Sequence, residues 1–528
     1  MSLNPEQLQV VNANDNKILC LAGAGAGKTF TMLERIYRLI HEGADPNNIL
    51  VLTFTNAAAF EMRNRFITKC STRSYPEFRT FHSLCYSLIS KDKDILHAIG
   101  YNKTTPQIID ENQLKLISTK IRSALGITLS SKQLKEPSKL SKRDAEQYEL
   151  YNKRLKQELN KSGYITFDQL QHSVCKLFIE NAECVIKYKL KYKYIFVDEF
   201  QDTDQTQYDF ISSFADSSLF VVGDILQCIY QFRGCTNDII KSLTRSKDWT
   251  MYKLHHNYRS TEEICKFANT VSMYASDYRI ELKSDRSGDS VDVDVGSAST
   301  YSRPVDDFHM RDVITRIKSD KGSSAILCRT NRECDYVISK LLDKGISVSC
   351  NKNNDALDLL KSSLDNEYLI NWIASNFNSA KFSDYIRLST IHASDNKLNW
   401  FLQEYGDDEE VAVQLNKICK IRQVLKSDNL SIQKCSDIFK ILAIHNDKPF
   451  DSVVNKPSNI VNYLTEVLES NINEIYVGTI HSSKGLEYDN VYLMGVDDTN
   501  FRLNSESNLN LYYVGITRAK NTLHVYRR

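Results

Sequence analysis

The sequence is poor in proline and glycine, with 8 and 18 residues among 528. This scarcity argues against long linkers and disordered tracts and favours a helix-rich fold. Basic and acidic residues almost cancel, leaving a net charge of +1. A polyanion must therefore bind at a local patch rather than through the field of the whole chain. No apolar stretch approaches the length of a membrane span, so we expect no membrane association.

The 13 cysteines include no C-x-x-C pair, which argues against zinc and iron–sulfur sites. Cys20 and Cys328 lie in apolar runs, as is typical of reduced core residues. The N-terminal residues lack the basic and apolar regions of a signal peptide. We therefore expect a soluble, intracellular protein, and its length predicts about two to four domains.

A phosphate-binding loop of the form A-x-x-x-x-G-K-T follows the apolar run 17–21 and precedes a helical pattern. Strand, glycine-rich loop and helix are the context that this motif requires. The backbone N–H groups would surround a phosphate, Lys28 would reach the β- and γ-phosphates of ATP, and Thr29 would ligate Mg²⁺. The loop comprises Ala22, Gly23, Ala24, Gly25, Ala26, Gly27, Lys28 and Thr29.

Polar segments follow two later strand-like runs, 194–197 and 219–222. After the first run, Asp198 would hold the metal ion, mostly through water, and Glu199 would polarise the attacking water. After the second, Gln227 could sense the γ-phosphate. The same loop continues with aromatic and basic residues that suit stacking on unpaired bases, namely Tyr230, Phe232 and Arg233.

Buried-type strands alternate with helices in two parts of the chain, which predicts an α/β fold with parallel sheets covered on both faces. The first part contains the runs named above and a further run at 49–54. The second part contains the runs 324–328, 474–479, 491–494 and 522–526. Mainly helical patterns interrupt each part. Ligands of such sheets bind at the carboxyl ends of the strands, where the phosphate loop lies.

The chain resembles superfamily 1 helicases of the UvrD/Rep/PcrA type. The order of its motifs agrees with that family, and their joint occurrence, rather than any single motif, carries the resemblance. The matching segments are 4–8, 22–29, 53–63, 80–83, 167–170, 197–203, 223–234, 257–260, 479–488 and 511–520.

The resemblance implies two RecA-like parallel-sheet lobes, each with a mainly helical insertion. The first lobe would comprise 1–85 and 189–252, with an insertion at 86–188. The second would comprise 253–355 and 465–528, with a reduced insertion at 356–464. ATP and Mg²⁺ would bind between the lobes.

The resemblance also implies roles for individual residues. Gln7 would hydrogen-bond the adenine edge, and Tyr258 would stack on the base. Arg259 and Arg518 would reach the γ-phosphate from the second lobe as arginine fingers. Glu487 would lie near the ribose or the interface of the lobes. Single-stranded DNA would contact Phe54, Asn56, His82, Tyr230, Phe232, Arg233 and His481.

These roles imply an ATP-dependent helicase that moves 3′→5′ on single-stranded DNA and unwinds duplexes in replication, repair or recombination. Its partners would be single-stranded DNA and junctions of single- and double-stranded DNA. Ala57 stands where relatives usually have lysine, and Phe232 where they often have tryptophan. A translocase that displaces proteins with little unwinding is an alternative. A non-catalytic DNA-binding protein with a degenerate ATPase is another.

Overall fold

Two compact units make up the chain, Met1–Gly288 with Asn504–Thr517 and Asp289–Leu503 with Arg518–Arg528. Residues 253–288 thus group with the first unit, although the motif order assigned them to the second lobe. The predicted insertion at 356–464 and the residues Phe232 and Arg233 lie outside the described part, so the bounds of the six predicted segments stay predictions. The computed structural model describes residues 2–70, 74–101, 104–130, 133–134, 141–231, 235, 237–273, 279–295, 307–342, 344, 346, 348–350, 475–496 and 501–527.

The first unit is built on a parallel sheet of six strands in the order β3-β2-β6-β7-β1-β8. Two short strands, β4 and β5, pair separately. The strands are β1 (Lys17–Ala22), β2 (Ile49–Thr53), β3 (Glu77–Thr80), β4 (Gln107–Ile108), β5 (Tyr164–Ile165), β6 (Tyr194–Val197), β7 (Ser218–Gly223) and β8 (Thr250–Leu254).

Strand β1 shows why these apolar runs form interior strands. Leu19 and Leu21 pack into one hydrophobic cluster, and Ile18 and Cys20 pack into another. Because successive side chains of a strand point to opposite faces, an uninterrupted apolar run fits a sheet that is covered on both sides. The carboxyl end of β1 therefore emerges from the middle of a packed layer, directly into the phosphate loop.

Helices cover this sheet and extend the first unit. The last of them packs against α12, where the rings of Tyr512 and Phe267 meet edge to face, 6.3 Å between centroids. The helices of the first unit are α1 (Pro5–Asn12), α2 (Lys28–His41), α3 (Asn56–Lys69), α4 (Phe81–Lys91), α5 (Lys93–Ala98), α6 (Glu111–Leu125), α7 (Lys142–Ser162), α8 (Phe167–Ile179), α9 (Glu183–Lys191), α10 (Gln205–Ser212), α11 (Asp238–Arg245), α12 (Glu262–Ser272) and α15 (Glu506–Ile516).

The second unit contains another parallel sheet of six strands, in the order β11-β12-β10-β13-β14-β9. The predicted α/β class, with two parallel sheets and many helices, is confirmed. The elements are β9 (Asp292–Val295), α13 (Asp307–Ser319), β10 (Ser324–Cys328), α14 (Asn331–Leu342), β11 (Val348–Cys350), β12 (Ile475–Thr479), β13 (Tyr488–Val496) and β14 (Ala519–Arg527).

The sequence pattern missed the short pair β4 and β5 and the four edge strands of the two six-stranded sheets, β3, β8, β9 and β11. Strand β8 alternates between half-buried and exposed residues before its buried last residue, so it contains no continuous apolar run. Cys20 and Cys328 are buried thiols without disulfide bonds, as expected. Among the described helices, none combines the length and the apolar character that crossing a bilayer requires.

Candidate functional site

The phosphate loop joins β1 to α2 as the sequence predicts. Gly25 and Gly27 have φ values of 67° and 74°, in the left-handed region that favours glycine. A Cβ atom on Gly25 would lie 2.8 Å from Nδ2 of Asn257, so this position also needs glycine for space. The unpaired N–H groups at the start of α2 make the loop a suitable anion site.

The fold brings the loop to the first acidic residue of the pair after β6. Oγ1 of Thr29 donates a hydrogen bond to Oδ2 of Asp198 over 2.9 Å. These residues are 169 positions apart in the sequence. Their contact assembles a hydroxyl and a carboxylate at the carboxyl edge of the sheet, where both were expected to serve one metal ion.

Buried carboxylates surround this contact. Burial, followed by the charge of Glu199, raises the pKa of Asp198 to about 7, and Lys28 and the Thr29 hydroxyl oppose that rise. Burial also raises the pKa of Asp224, again against the charge of Lys28. A cation beside these groups would offset the cost of burying their charges.

The oxygen donors of Thr29 and Asp198 fit Mg²⁺, which prefers oxygen ligands and usually keeps waters and substrate phosphates as its others. In the part of the chain that the structure describes, no group of three or more His, Cys, Asp and Glu side chains is placed to hold a metal ion. A site completed by nucleotide and water agrees with this sparse protein contribution.

Glu199 occupies a strained backbone position. Its φ of 51° and ψ of 45° lie in the left-handed region, which non-glycine residues rarely adopt. Its own N–H donates to Oδ1 of Asp198 over 2.9 Å. Strain of this kind persists where surrounding contacts hold it and is concentrated at functional sites.

Gln7 lies against the phosphate loop. It is the third residue of α1, where it forms a reciprocal capping box with Asn4. Its Nε2 donates to the carbonyl oxygen of Ala26 over 3.2 Å, and its side chain is buried. Gln7 is thus hydrogen-bonded to the phosphate loop, and the amide nitrogen already has a partner within the protein.

Hydrogen bonds of Asn257 hold the segment 257–260 against the same loop. Its Nδ2 donates to the carbonyl oxygen of Ala24 over 2.7 Å, and its Oδ1 accepts from the N–H groups of Arg259 and Ser260, each at 2.7 Å. The N–H of Tyr258 donates to the carbonyl oxygen of Gly25. The Tyr258 side chain remains 37% exposed, beside the loop and available to a planar ligand.

The two predicted arginine fingers have separate surroundings. In the first unit, Nη1 of Arg259 donates to the carbonyl oxygen of Thr517 over 3.1 Å. In the second unit, Arg518 is buried and its Nη1 donates to the carbonyl oxygen of Leu486 over 3.1 Å. Glu487 forms an ion pair with Lys520, 3.0 Å between Nζ and Oε1.

Three of the residues expected to contact DNA follow strand ends of the first sheet. Phe54 and Tyr230 stack on each other with ring centroids 5.3 Å apart and an angle of 13°. Oδ1 of Asn56 accepts a hydrogen bond from Thr80 over 3.3 Å. Residues from distant motifs therefore share one edge of the sheet.

His82 lies at the start of α4 and meets the ring of Phe167 edge to face, with centroids 5.4 Å apart. Phe167 is 55% exposed. In the second unit, His481 follows β12, and burial, then Arg329 and Lys484, lower its pKa to about 4. Phe232 and Arg233 lie outside the described residues.

Comparison with known proteins agrees with this geometry. The profile of the UvrD/REP helicase N-terminal domain matches residues 3–248, and that of the UvrD-like helicase C-terminal domain matches residues 383–527. The chain belongs to the UvrD/REP helicase family. It is accordingly an enzyme of the ATP-dependent DNA helicase class.

Curated members of the UvrD/REP family resemble the chain along almost its whole length. The ATP-dependent DNA helicase PcrA of Bacillus subtilis is 28% identical, in an alignment covering 99% of this chain and 82% of the relative. The proteins of the same name from Staphylococcus aureus and Staphylococcus epidermidis are each 26% identical, covering 99% of this chain and 83% of the relative.

The structure adds three residues of these UvrD/REP motifs to the site residues expected from the sequence. Asp224 accepts a hydrogen bond from Nε2 of Gln227 over 2.8 Å, and its position after the strand end at Gly223 was the available signal. Asn257 opens the N-Y-R-S motif, yet its bonds depend on the folded loop. Phe167 opens the F-D-Q-L motif, and an aromatic residue at the start of a helical pattern was the available signal.

Proposed function

We propose that this chain is a 3′→5′ DNA helicase that couples Mg²⁺-dependent ATP hydrolysis to stepping along single-stranded DNA. The observation that carries the proposal is the hydrogen bond between Thr29 and Asp198, which joins the phosphate loop to the acidic pair. Membership of the UvrD/REP family supports ATP as the nucleotide and DNA as the polymer along which the enzyme moves.

Each polar residue then has a task in hydrolysis. Lys28 and the loop N–H groups would bind the phosphates, and Thr29 and Asp198 would hold Mg²⁺, Asp198 mostly through water. When bound, Mg²⁺ neutralises charge on the β- and γ-phosphate oxygens. Glu199 accepts a proton from the attacking water, and Gln227 contacts the γ-phosphate.

Further residues bind the nucleoside or stabilise the charge of the transition state. Gln7 and Tyr258 bind the adenine, and Glu487 contributes near the ribose. Arg259 and Arg518 stabilise the charge that develops on the γ-phosphate.

The DNA strand would lie along the carboxyl edge of the first sheet. Phe54, Tyr230 and Phe167 offer rings on which bases can stack, and each stacked base contributes about 1–3 kcal/mol without regard to sequence. His82 meets the ring of Phe167, and Asn56 follows Phe54 by two positions in the sequence. The resemblance adds Phe232, Arg233 and His481 to the proposed DNA contacts.

Coupling of ATP hydrolysis to DNA binding follows from the short distance in sequence between a nucleotide contact and a DNA contact. Gln227 and Tyr230 lie on one loop, so loss of the γ-phosphate from Gln227 changes the support of a base-stacking ring. A motor needs a ligand that binds its two states with different affinity, and ATP and its products supply that difference.

The test compares the wild-type chain with Lys28→Ala and with the exposed control Lys247→Ala. ATP hydrolysis is measured with and without single-stranded DNA, and unwinding is measured on duplexes with 3′ or 5′ tails. We expect DNA-stimulated hydrolysis and unwinding from the 3′ tail only. Lys28→Ala should lose both activities and keep DNA binding, whereas Lys247→Ala should retain all three.

Other outcomes separate the alternatives. DNA-stimulated hydrolysis without unwinding, but with displacement of a bound protein, would favour the translocase. DNA binding without any hydrolysis by the wild-type chain would favour the non-catalytic protein. Unwinding by Lys28→Ala would contradict the assignment of the nucleotide site.

A further inference from the structure

A continuous series of hydrogen bonds links Glu199 to Gln227 through the amide of Gln201. Nε2 of Gln201 donates to Oε2 of Glu199 over 2.6 Å. Oε1 of the same amide accepts from the N–H of Asp224 over 3.0 Å. The Asp224 carboxylate then accepts from Nε2 of Gln227 over 2.8 Å.

The packing around this amide is close on every side. Gln201 is 1% exposed, and Asp224 and Gln227 are 2% and 4% exposed. A Cβ atom on Gly223 would lie 2.6 Å from Oε1 of Gln201 and 3.1 Å from its backbone nitrogen. A glycine at the end of β7 therefore lets the turn after β6 approach closely enough for the amide to span both strand ends.

We infer that Gln201 is a positioning residue for ATP hydrolysis, which fixes the Glu199 carboxylate and ties it to the segment that carries Gln227. This inference rests on the proposed roles of Glu199 as the base and Gln227 as the γ-phosphate contact. It goes further by assigning a residue that lies outside the proposed nucleotide and metal contacts.

Only an amide can perform this task in the observed geometry. The bond to Glu199 needs a donor, and the bond to the Asp224 N–H needs an acceptor. A carboxylate at position 201 could still accept from the Asp224 N–H, but its charge would repel the carboxylate of Glu199. A methionine could form neither hydrogen bond at comparable strength. The amide thus makes the position of the base depend on the position of the γ-phosphate contact.

The experiment compares Gln201→Met and Gln201→Glu with the control Gln171→Met in the full chain. Gln171 is also a buried glutamine, and its amide accepts from Gln207 over 3.1 Å away from the nucleotide residues. The measurements are kcat and KM of DNA-stimulated ATP hydrolysis, affinity for a fluorescent non-hydrolysable ATP analogue, and thermal unfolding.

We expect both Gln201 variants to lower kcat by at least about tenfold, since a misplaced catalytic group can cost roughly 10²-fold. Affinity for the ATP analogue should stay within about twofold, because the phosphate loop is intact. Gln171→Met should keep kcat within about twofold even if it lowers the unfolding temperature.

A second readout separates positioning from a general structural effect. If Gln201 acts through Glu199, then Gln201→Met should lower kcat no further when Glu199 is already Gln, because coupled residues are not additive. If the kcat losses of the two single variants multiply in the double variant, the inference is overturned.

Unchanged kcat in Gln201→Met would overturn the inference and leave the proposed helicase function intact. Absence of hydrolysis by the wild-type chain would instead overturn the proposed function. If Gln201→Met does not fold, the nearly isosteric Gln201→Glu decides the matter, because wild-type kcat in that variant would contradict a role for the donated hydrogen bond.

Discussion

At the scale of the residue, Asn257 shows how a single amide can organise the edge of a nucleotide site. One end of the amide binds the phosphate loop, and the other end accepts from two consecutive backbone N–H groups of its own segment. The side chain is 1% exposed, so water cannot replace these partners easily. Tyr258 and Arg259 are therefore held where the loop dictates.

We predict that Asn257→Ala lowers the free energy of unfolding by about 3 kcal/mol, since buried backbone groups lose their partners. It should also raise the KM for ATP by about tenfold, because Tyr258 and the loop lose their common support. The control is Asn490→Ala, whose amide donates to the carbonyl oxygen of Lys321 in the second unit. Urea unfolding and steady-state kinetics would check this, and equal KM changes in both variants would contradict it.

At the scale of the element, α2 secures the helix that carries Gln7. Nη1 of Arg35 lies within 3.2 Å of the carbonyl oxygens of Val10, Val11 and Ala13 at the end of α1. Burial lowers the pKa of Arg35 to about 10, which leaves the guanidinium charged at neutral pH. The helix that begins at the phosphate loop thus also caps the helix that supports it.

We predict that Arg35→Met lowers the free energy of unfolding by about 3 kcal/mol, because buried carbonyl groups lose a charged donor. Arg38→Met is the matched control, because Arg38 binds two of the same carbonyl groups from a more exposed position. It should cost about 1 kcal/mol. Denaturant unfolding measures both, and an equal or smaller loss in Arg35→Met would show that burial of the charge is unimportant.

The elements also explain which parts of the molecule could be predicted from sequence. Interior strands such as β1 and β10 are continuous apolar runs, because both faces are covered. Edge strands such as β8 contain exposed positions and give no such signal. The phosphate loop and Asp198 could be predicted because glycine spacing and the ends of apolar runs are local features of the sequence. The bonds of Asn257 and Gln201 could not be read, since their partners are brought together only by folding.

At the scale of the whole molecule, two histidines of the second unit, His481 and His524, make stability depend on pH. The lowered pKa of His481, about 4, lies below the value of 6.5 for an unfolded chain. Between these values the unfolded state binds more protons, so stability falls as the pH falls from about 6.5 towards 4. Burial and Arg316 lower the pKa of His524 in the same unit, which acts in the same direction.

We predict that the unfolding temperature of His481→Gln falls less than that of the wild-type chain between pH 7.5 and pH 5, because the glutamine cannot bind a proton. Differential scanning calorimetry across that range measures the difference. The exposed His172→Gln controls for the loss of a histidine as such. Parallel curves for wild type and His481→Gln would contradict a half-buried imidazole that is neutral in the folded state.

The discontinuous path of the first unit has a consequence for synthesis on the ribosome. Strand β1 pairs with β7 and β8, so its two neighbours emerge only after residues 218–254 have been translated. At about 5–20 residues per second, the apolar segment that leads into the phosphate loop waits roughly 10–50 seconds for its partners. Helix α15, which packs against α12, is the last element of the first unit to be translated. The nascent chain therefore exposes an aggregation-prone strand through nearly half of its own translation, and chaperones that bind extended apolar segments have that interval in which to act.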